Sequence, residues 1–222
     1  MREYDAYGKI RKDGYSTSTV LRSYGMKKCK GQITGLLSPL LEKRRMNEIM
    51  KHVAGNIILD YGCGYGKLAA AFPGKTYIGI DIDNSTIKYA RKLYSDKEKV
   101  QFHALGDFKF QDHRYDSIIM AAVIEHLDEP AHTLQKLKKN LTEGGRIIIT
   151  TPTPLANEIL KLGSKFGLFS KEGVEQHQSL LKKQDFVNIS QKTGLTLKYY
   201  GQFEIGLNQI VVYENITENI KF

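Results

Sequence analysis

Cysteine, proline and long apolar runs are all scarce in this sequence, and each shortage narrows what the chain can be. Of its 222 residues, two are cysteine (Cys29 and Cys63) and five are proline. Two cysteines make no disulfide framework, so a reducing cytoplasm is the expected compartment. The longest uninterrupted apolar run, Ile118 to Ile124, is far too short to cross a bilayer. The first residues include Arg2, Glu3 and Asp5 and carry no apolar stretch, so a secretory leader is not expected. Without secretion, the glycosylation-type triplets Asn84-Ser85-Thr86 and Asn188-Ile189-Ser190 are chance matches. No internal repeat and no low-complexity tract is present.

What remains is a chain with 41% apolar residues and enough length for one domain with a full core. The net charge is +9, and more than half of the excess lies in residues 1–30, where eight Lys or Arg face three acids. Such an arm attracts an anionic partner (RNA, a membrane surface, an acidic substrate) or simply solubilises the chain. No RNA-binding signature accompanies it, which favours the second reading.

Residues 1–37 form a Tyr-, Lys- and Gly-rich lead-in without a period. Ser38-Pro39 marks a helix start, with Leu40, Leu41, Ile49, Met50 and Val53 as its apolar stripe and Gly55 as its stop. Strands and helices then alternate. Strands are expected at Asn56–Tyr61, Thr76–Asp81, Val100–Ala104, Tyr115–Ala121 and Arg146–Thr151, and helices at Gly66–Phe72, Ser85–Tyr94 and Glu129–Leu141. This rhythm predicts an α/β fold with a doubly wound parallel sheet. Residues 153–178 are long for a connection and read as a lid or substrate wall. A helix follows at Leu180–Thr193, then two strands, Leu195–Glu204 and Leu207–Glu214, turning at Gly206 as an antiparallel edge pair. Residues 38–214 thus make the domain, and residues 215–222 are a tail.

The segment Ile58-Leu59-Asp60-Tyr61-Gly62-Cys63-Gly64-Tyr65-Gly66-Lys67 carries the chemistry. It reads as strand, glycine turn and helix start, as in dinucleotide sites. The sixth position of the dinucleotide fingerprint, however, is Lys67 rather than glycine, and an acid stands two residues before the first glycine. A carboxylate there repels a pyrophosphate and suits a ligand bearing an amine and a sulfonium, such as S-adenosylmethionine. Open α/β sheets bind ligands beyond the carboxyl ends of their strands. Those ends carry Asp60, then Asp81-Ile82, then Gly106-Asp107-Phe108, then Ala121-Ala122. Asp81 can accept both ribose hydroxyls and Asp107 an adenine amine, while Ile82 and Phe108 can sandwich the base. Gly62, Gly64 and Gly106 admit the ligand to the backbone, Cys63 is a small filler in the turn, and helix-start amides can donate to the methionine carboxylate.

These motifs, together with Tyr115-Asp116-x-Ile118 and Leu141-x-x-Gly144-Gly145-Arg146, resemble the class I S-adenosylmethionine-dependent methyltransferases over roughly residues 38–214. The resemblance implies a Rossmann-like seven-stranded sheet, mostly parallel with an antiparallel last strand, and S-adenosylmethionine as methyl donor. Val123-Ile124-Glu125-His126-Leu127, Thr151-Pro152 and His177 are similar to a narrower branch. It contains the ubiquinone-biosynthesis O-methyltransferases and the small-RNA 2′-hydroxyl methyltransferases. The RNA enzymes hold a metal on E-x-x-E-H plus a later histidine. Ala122 stands here at the first acid, and no metal is expected.

Because the methyl donor is already activated, the protein's task is orientation and deprotonation of the acceptor. His126 is the first candidate base, His177 the second, and Glu125 orients His126 or caps the helix. The expected activity is methylation of a small molecule on oxygen. RNA methylation, a non-catalytic S-adenosylmethionine-binding protein and a nicotinamide oxidoreductase are the alternatives. Acceptor choice is expected to lie in the lead-in and in residues 153–178.

Overall fold

Why strands form where they do is clearest at the centre of the sheet. Ile118-Ile119-Met120 and Ile147-Ile148-Ile149 are continuous apolar runs, and all six side chains are buried. Such runs are stable only in strands covered on both faces. The computed structural model describes residues 38–110, 113–156 and 180–216. It places these runs in β4 (Tyr115–Ala121) and β5 (Leu141–Pro152). The other strands are β1 (Ile57–Tyr61), β2 (Thr76–Asp81), β3 (Val100–Ala104), β6 (Thr196–Phe203) and β7 (Asn208–Glu214). The helices are α1 (Ser38–Met50), α2 (Asn84–Leu93), α3 (Pro130–Lys138) and α4 (Lys183–Thr193).

The seven strands form one sheet in the order β3-β2-β1-β4-β5-β7-β6. The first five are mutually parallel, and β7 runs antiparallel to both β5 and β6. The expected α/β sheet, parallel with one reversed strand, is therefore present. Alternation along each strand sorts the core into two layers. Leu59, Ile118, Met120, Ile147, Ile149 and Val211 face Leu134 and Leu137 of α3 and Phe186 of α4. Ile58, Ile119, Ile148 and Val212 face Met46 and Ile49 of α1 and Ile87 of α2. Strand order reverses direction between β1 and β4, and ligands of such sheets bind in the crevice beyond that point.

Three elements differ from expectation. The helix expected over Gly66–Phe72 is a 3₁₀ turn, Lys67–Ala71, entered through left-handed Gly66. Pro73-Gly74 leaves too few residues to nucleate an α-helix, and the tighter turn suffices. The helix expected to reach Leu141 ends at Lys138, and β5 begins at Leu141. A register shift between its pairing with Tyr115 and with Ser117 lets Gly144-Gly145 bulge inside the strand rather than precede it. In α1 the buried residues are Met46 and Ile49, while Leu40 and Met50 of the expected stripe are exposed.

Candidate active site

The glycine turn is built by backbone geometry. Gly62, Gly64 and Gly66 have φ of 81°, 52° and 74°, a left-handed series that side chains resist. At Gly62 a Cβ would also sit 2.4 Å from Cγ2 of Val123, so the β1 exit and the β4 exit touch there. The Gly62 and Cys63 amides donate to the Ile80 carbonyl at 2.8 and 3.0 Å, fastening the turn to the end of β2.

Asp81, the last residue of β2, completes that fastening. Its Oδ2 accepts the Gly64 amide at 2.8 Å and its Oδ1 accepts the Asp83 amide at 2.9 Å. Each oxygen keeps a further lone pair. Asp60 lies one strand over, buried on the face of α1 and α2, where the Tyr77 hydroxyl donates to its Oδ2. Its Oδ1 is buried without a hydrogen-bond partner. Burial lifts the Asp60 pKa to about 7; the Tyr77 hydrogen bond opposes that rise, and the charge of Asp81 adds to it. Cys63 is buried in the same layer, and desolvation raises its thiol far above the ordinary range, which makes it an inert filler.

The neighbouring strand ends carry the remaining candidates. Ile82 follows Asp81 and is 83% exposed, an unusual environment for isoleucine. Gly106 and Asp107 lie exposed in a 3₁₀ turn, Leu105–Asp107, directly after β3. Phe108 is half-buried; its ring stacks on His113 at 5.4 Å and meets the edge of Phe110 at 5.0 Å. At Gly64 and at Gly106 an added Cβ would meet nothing within 4 Å, so open space lies over both.

Beyond β4, Ala121 is half-buried and Ala122 takes a left-handed φ of 56° while donating its amide to Thr150 at 2.8 Å. That residue turns the chain out of the sheet into a 3₁₀ turn, Ile124–His126. Glu125 points inward, 1% exposed, and accepts the Thr151 hydroxyl from β5 at 2.9 Å. His126 is exposed on the same turn. The acids at the ends of β1 and β2 and the Glu125–His126 turn thus occupy one edge of the sheet, on either side of the reversal between β1 and β4. His177 lies outside the described residues, as do residues 1–37 and most of the expected lid. Among the described residues, no three Asp, Glu, His or Cys side chains cluster as a metal site.

One expected feature is absent from this geometry. Donation to a ligand carboxylate from an α-helix start after the turn has no helix behind it, because the segment is the 3₁₀ turn above. Sequence reading also missed one contact and one backbone feature. Lys67 pairs with both oxygens of Glu42 at 2.8 Å, so α1 neutralises the lone cation of the glycine turn. The β6–β7 turn, Glu204-Ile205-Gly206, has three consecutive positive φ values of 54°, 56° and 80°. The turn itself falls at Gly206 as expected; what went unread is the left-handed backbone at Glu204 and Ile205, residue types that a turn there does not ordinarily take.

Comparison with known proteins gives a consistent answer. Residues 32–199 match a family described as a methyltransferase domain. The chain is 25% identical over 168 residues to a ubiquinone biosynthesis O-methyltransferase of Leptothrix cholodnii, covering 70% of this chain and 72% of that one. It is 32% identical over 111 residues to a demethylmenaquinone methyltransferase of Clavibacter sepedonicus, covering 46% and 45%. Among solved structures, magnesium protoporphyrin IX methyltransferase from Synechocystis, with bound SAH, superposes with a TM-score of 0.62 at 18% identity, covering 87% of this chain and 91% of that one. At that identity the likeness concerns the fold.

Proposed function

The chain belongs to the S-adenosylmethionine-dependent methyltransferases, and we propose that it methylates a hydroxyl oxygen of a small-molecule acceptor. The residues present fit the methyl donor. Asp60 offers a buried oxygen without a partner, Gly64 and Gly106 leave open space, and Ile82 presents an uncovered apolar side chain at the strand edge. The observation that carries the reading is the bracket formed by Asp81. Its carboxylate ties the glycine turn to the β2–α2 loop beside Asp60, placing a carboxylate and a carboxyl that a cation would ionise where a cationic ligand would lie.

When bound, the donor supplies a methyl group on a sulfonium, already activated for in-line displacement. In this reading Asp81 holds the ribose hydroxyls with its remaining lone pairs, and Asp107 accepts from the adenine amine. Ile82 and Phe108 cover the faces of the base, and Gly62, Cys63 and Ala121 shape the walls. On the acceptor side, the Thr151–Glu125 hydrogen bond fixes the turn that carries His126. His126 takes the acceptor's hydroxyl proton at an imidazole nitrogen. The oxygen acceptor is supported by the names of similar proteins, among them the O-methyltransferase of Leptothrix cholodnii.

Calorimetry with S-adenosylmethionine and with NAD, followed by labelled methyl transfer into a cell extract, tests the reading. Binding of S-adenosylmethionine alone and a labelled small molecule are expected. No binding, a preference for NAD, or label recovered only in nucleic acid would reject it.

A further inference from the structure

We propose that the β6–β7 turn, together with Arg45 of α1, is a recognition subsite for a neutral hydroxyl group on an apolar ligand. This rests on the methyltransferase reading, in which the ligand is the methyl acceptor.

The turn sits at the correct edge of the sheet. Asn208, at the start of β7, pairs with Pro152 at the carboxyl end of β5. The Thr153 amide donates to the Leu207 carbonyl at 2.9 Å and its hydroxyl to the Gly206 carbonyl at 2.6 Å. The turn is therefore fastened to the chain leaving β5, on the same edge as Asp81 and the Glu125–His126 turn, and on the acceptor side of the strand-order reversal.

Its backbone is strained without local need. Glu204 and Ile205 are both left-handed, and Gly206 closes back on the Phe203 carbonyl at 3.1 Å. A β-branched residue in that region is a true outlier, and such residues concentrate where function requires their side chains. Asn-Gly would make the same turn without strain. What Glu and Ile add is side-chain chemistry.

That chemistry is incomplete as it stands. Glu204 and Asn208 are each only 8% exposed, and the Asn208 amide donates to Glu204 Oε2. Glu204 Oε1, Asn208 Oδ1 and Arg45 Nε are all buried without a hydrogen-bond partner. Orphaned buried polar atoms are costly, and three on neighbouring side chains call for a missing group. The orphans are two acceptors and one donor. A carboxylate would face two acceptors and be repelled. An ammonium would have nothing to give Arg45 Nε and would meet the positive charges of Arg44 and Arg45, which are close enough to act on Glu204. An uncharged hydroxyl gives its one proton to either of the two acceptors and accepts from Arg45 Nε, so it meets both kinds of orphan without adding charge. Beside it, Ile205 is 95% exposed and Leu155, which lies against Gly206, is 47% exposed. Two bare aliphatic side chains next to the polar pocket suit an apolar body carrying the hydroxyl.

The test compares benzyl alcohol, benzoate and benzylamine, which share a ring and differ in one group. Each is titrated into the isotopically labelled full chain with S-adenosylhomocysteine present, following the Asn208 side-chain amide by NMR. Benzyl alcohol should bind best and move that signal, and Glu204→Gln should weaken it about tenfold, the difference between a hydrogen bond to a charged and to a neutral acceptor. Ile205→Gly, which relieves strain, should raise the melting temperature yet weaken the alcohol, so a poorly folding Glu204 variant does not block the test. Tighter binding of benzoate or benzylamine, binding of none, an unmoved Asn208 signal, or unaltered affinity in Ile205→Gly would overturn the proposal. Calorimetry with S-adenosylmethionine on the same samples separates the two readings. A donor that binds while the alcohol fails rejects this subsite alone; a donor that does not bind rejects the methyltransferase reading beneath it.

Discussion

Tyr77 on β2 donates its hydroxyl hydrogen to Asp60 on β1, so a carboxyl group is held inside the apolar layer between sheet and helices while its second oxygen has no partner. Burial dominates there and raises Asp60 to about 7. The Tyr77 bond limits the rise, and the nearby Asp81 charge increases it. A carboxyl poised near neutrality beside the glycine turn ties stability and ligand binding to the same proton.

The stability consequence has a definite sign. Between the ordinary value of 3.8 and about 7, the folded protein keeps a proton that the unfolded chain has released. Native stability attributable to Asp60 is therefore full below that window and falls as pH rises through it, by at most about 4 kcal/mol. Asp60→Asn removes the titration. Urea unfolding at several values from pH 4 to pH 8 should show the wild type losing stability relative to the variant. Parallel profiles would refute this.

Ligand binding should move the same proton the other way. A cation placed near Asp60 favours its ionised form, so S-adenosylmethionine binding at neutral or slightly acidic pH should release a fraction of a proton. Calorimetric enthalpies in buffers of different ionisation enthalpy report that release directly. Asp60→Asn should abolish the buffer dependence. A buffer dependence that survives in the variant would assign the proton to another group.

At Gly62 the left-handed φ of 81° and the 2.4 Å approach of Val123 act together. Gly62→Ala should cost roughly 1–3 kcal/mol from the backbone alone, with the clash in addition. Val123→Ala removes the clash and leaves the strain, so the double variant should recover only part of the loss. Additive losses in a thermal-unfolding cycle would show that the two exits do not touch in solution.

These contacts mark where sequence reading stops. The limits of β2 and β4 are legible because each holds a buried apolar run, closed in β2 by Asp81 and preceded in β4 by His113-Arg114, which is local information. The acids at the strand ends are legible for the same reason: Asp60 and Asp81 each close an apolar run. What joins them is not local. The Tyr77–Asp60 bond, the Lys67–Glu42 pair and the Thr151–Glu125 bond link residues on different elements. No period or cap in the sequence announces them. The early start of β5 was hidden by Gly144-Gly145, which reads as a stop but is accommodated by a bulge. Ala122 and Ile205 defy propensity outright, since neither residue type favours a positive φ.

Thr151 and Glu125 invite an isosteric test. Thr151→Val keeps the shape and removes the donor, leaving the buried Glu125 oxygen short of a partner. The expected cost is about 1–3 kcal/mol in denaturant unfolding, and Thr151→Ser should restore most of it. Loss in both variants to the same extent would mean that packing, not the hydrogen bond, holds the turn.

His126 decides whether that turn is catalytic or merely structural. The side chain is exposed, so replacing it should change stability by less than about 0.5 kcal/mol. As the acceptor's base, however, it should matter greatly. His126→Asn should lower kcat by about 10²–10⁴ with S-adenosylmethionine affinity intact, and the acidic limb of the pH profile should disappear with it. A structural histidine would move stability and kcat together and leave the pH profile in place. A fall in donor affinity instead would put His126 on the donor side of the strand-order reversal, and the proton would then have to leave by another residue of the acceptor side.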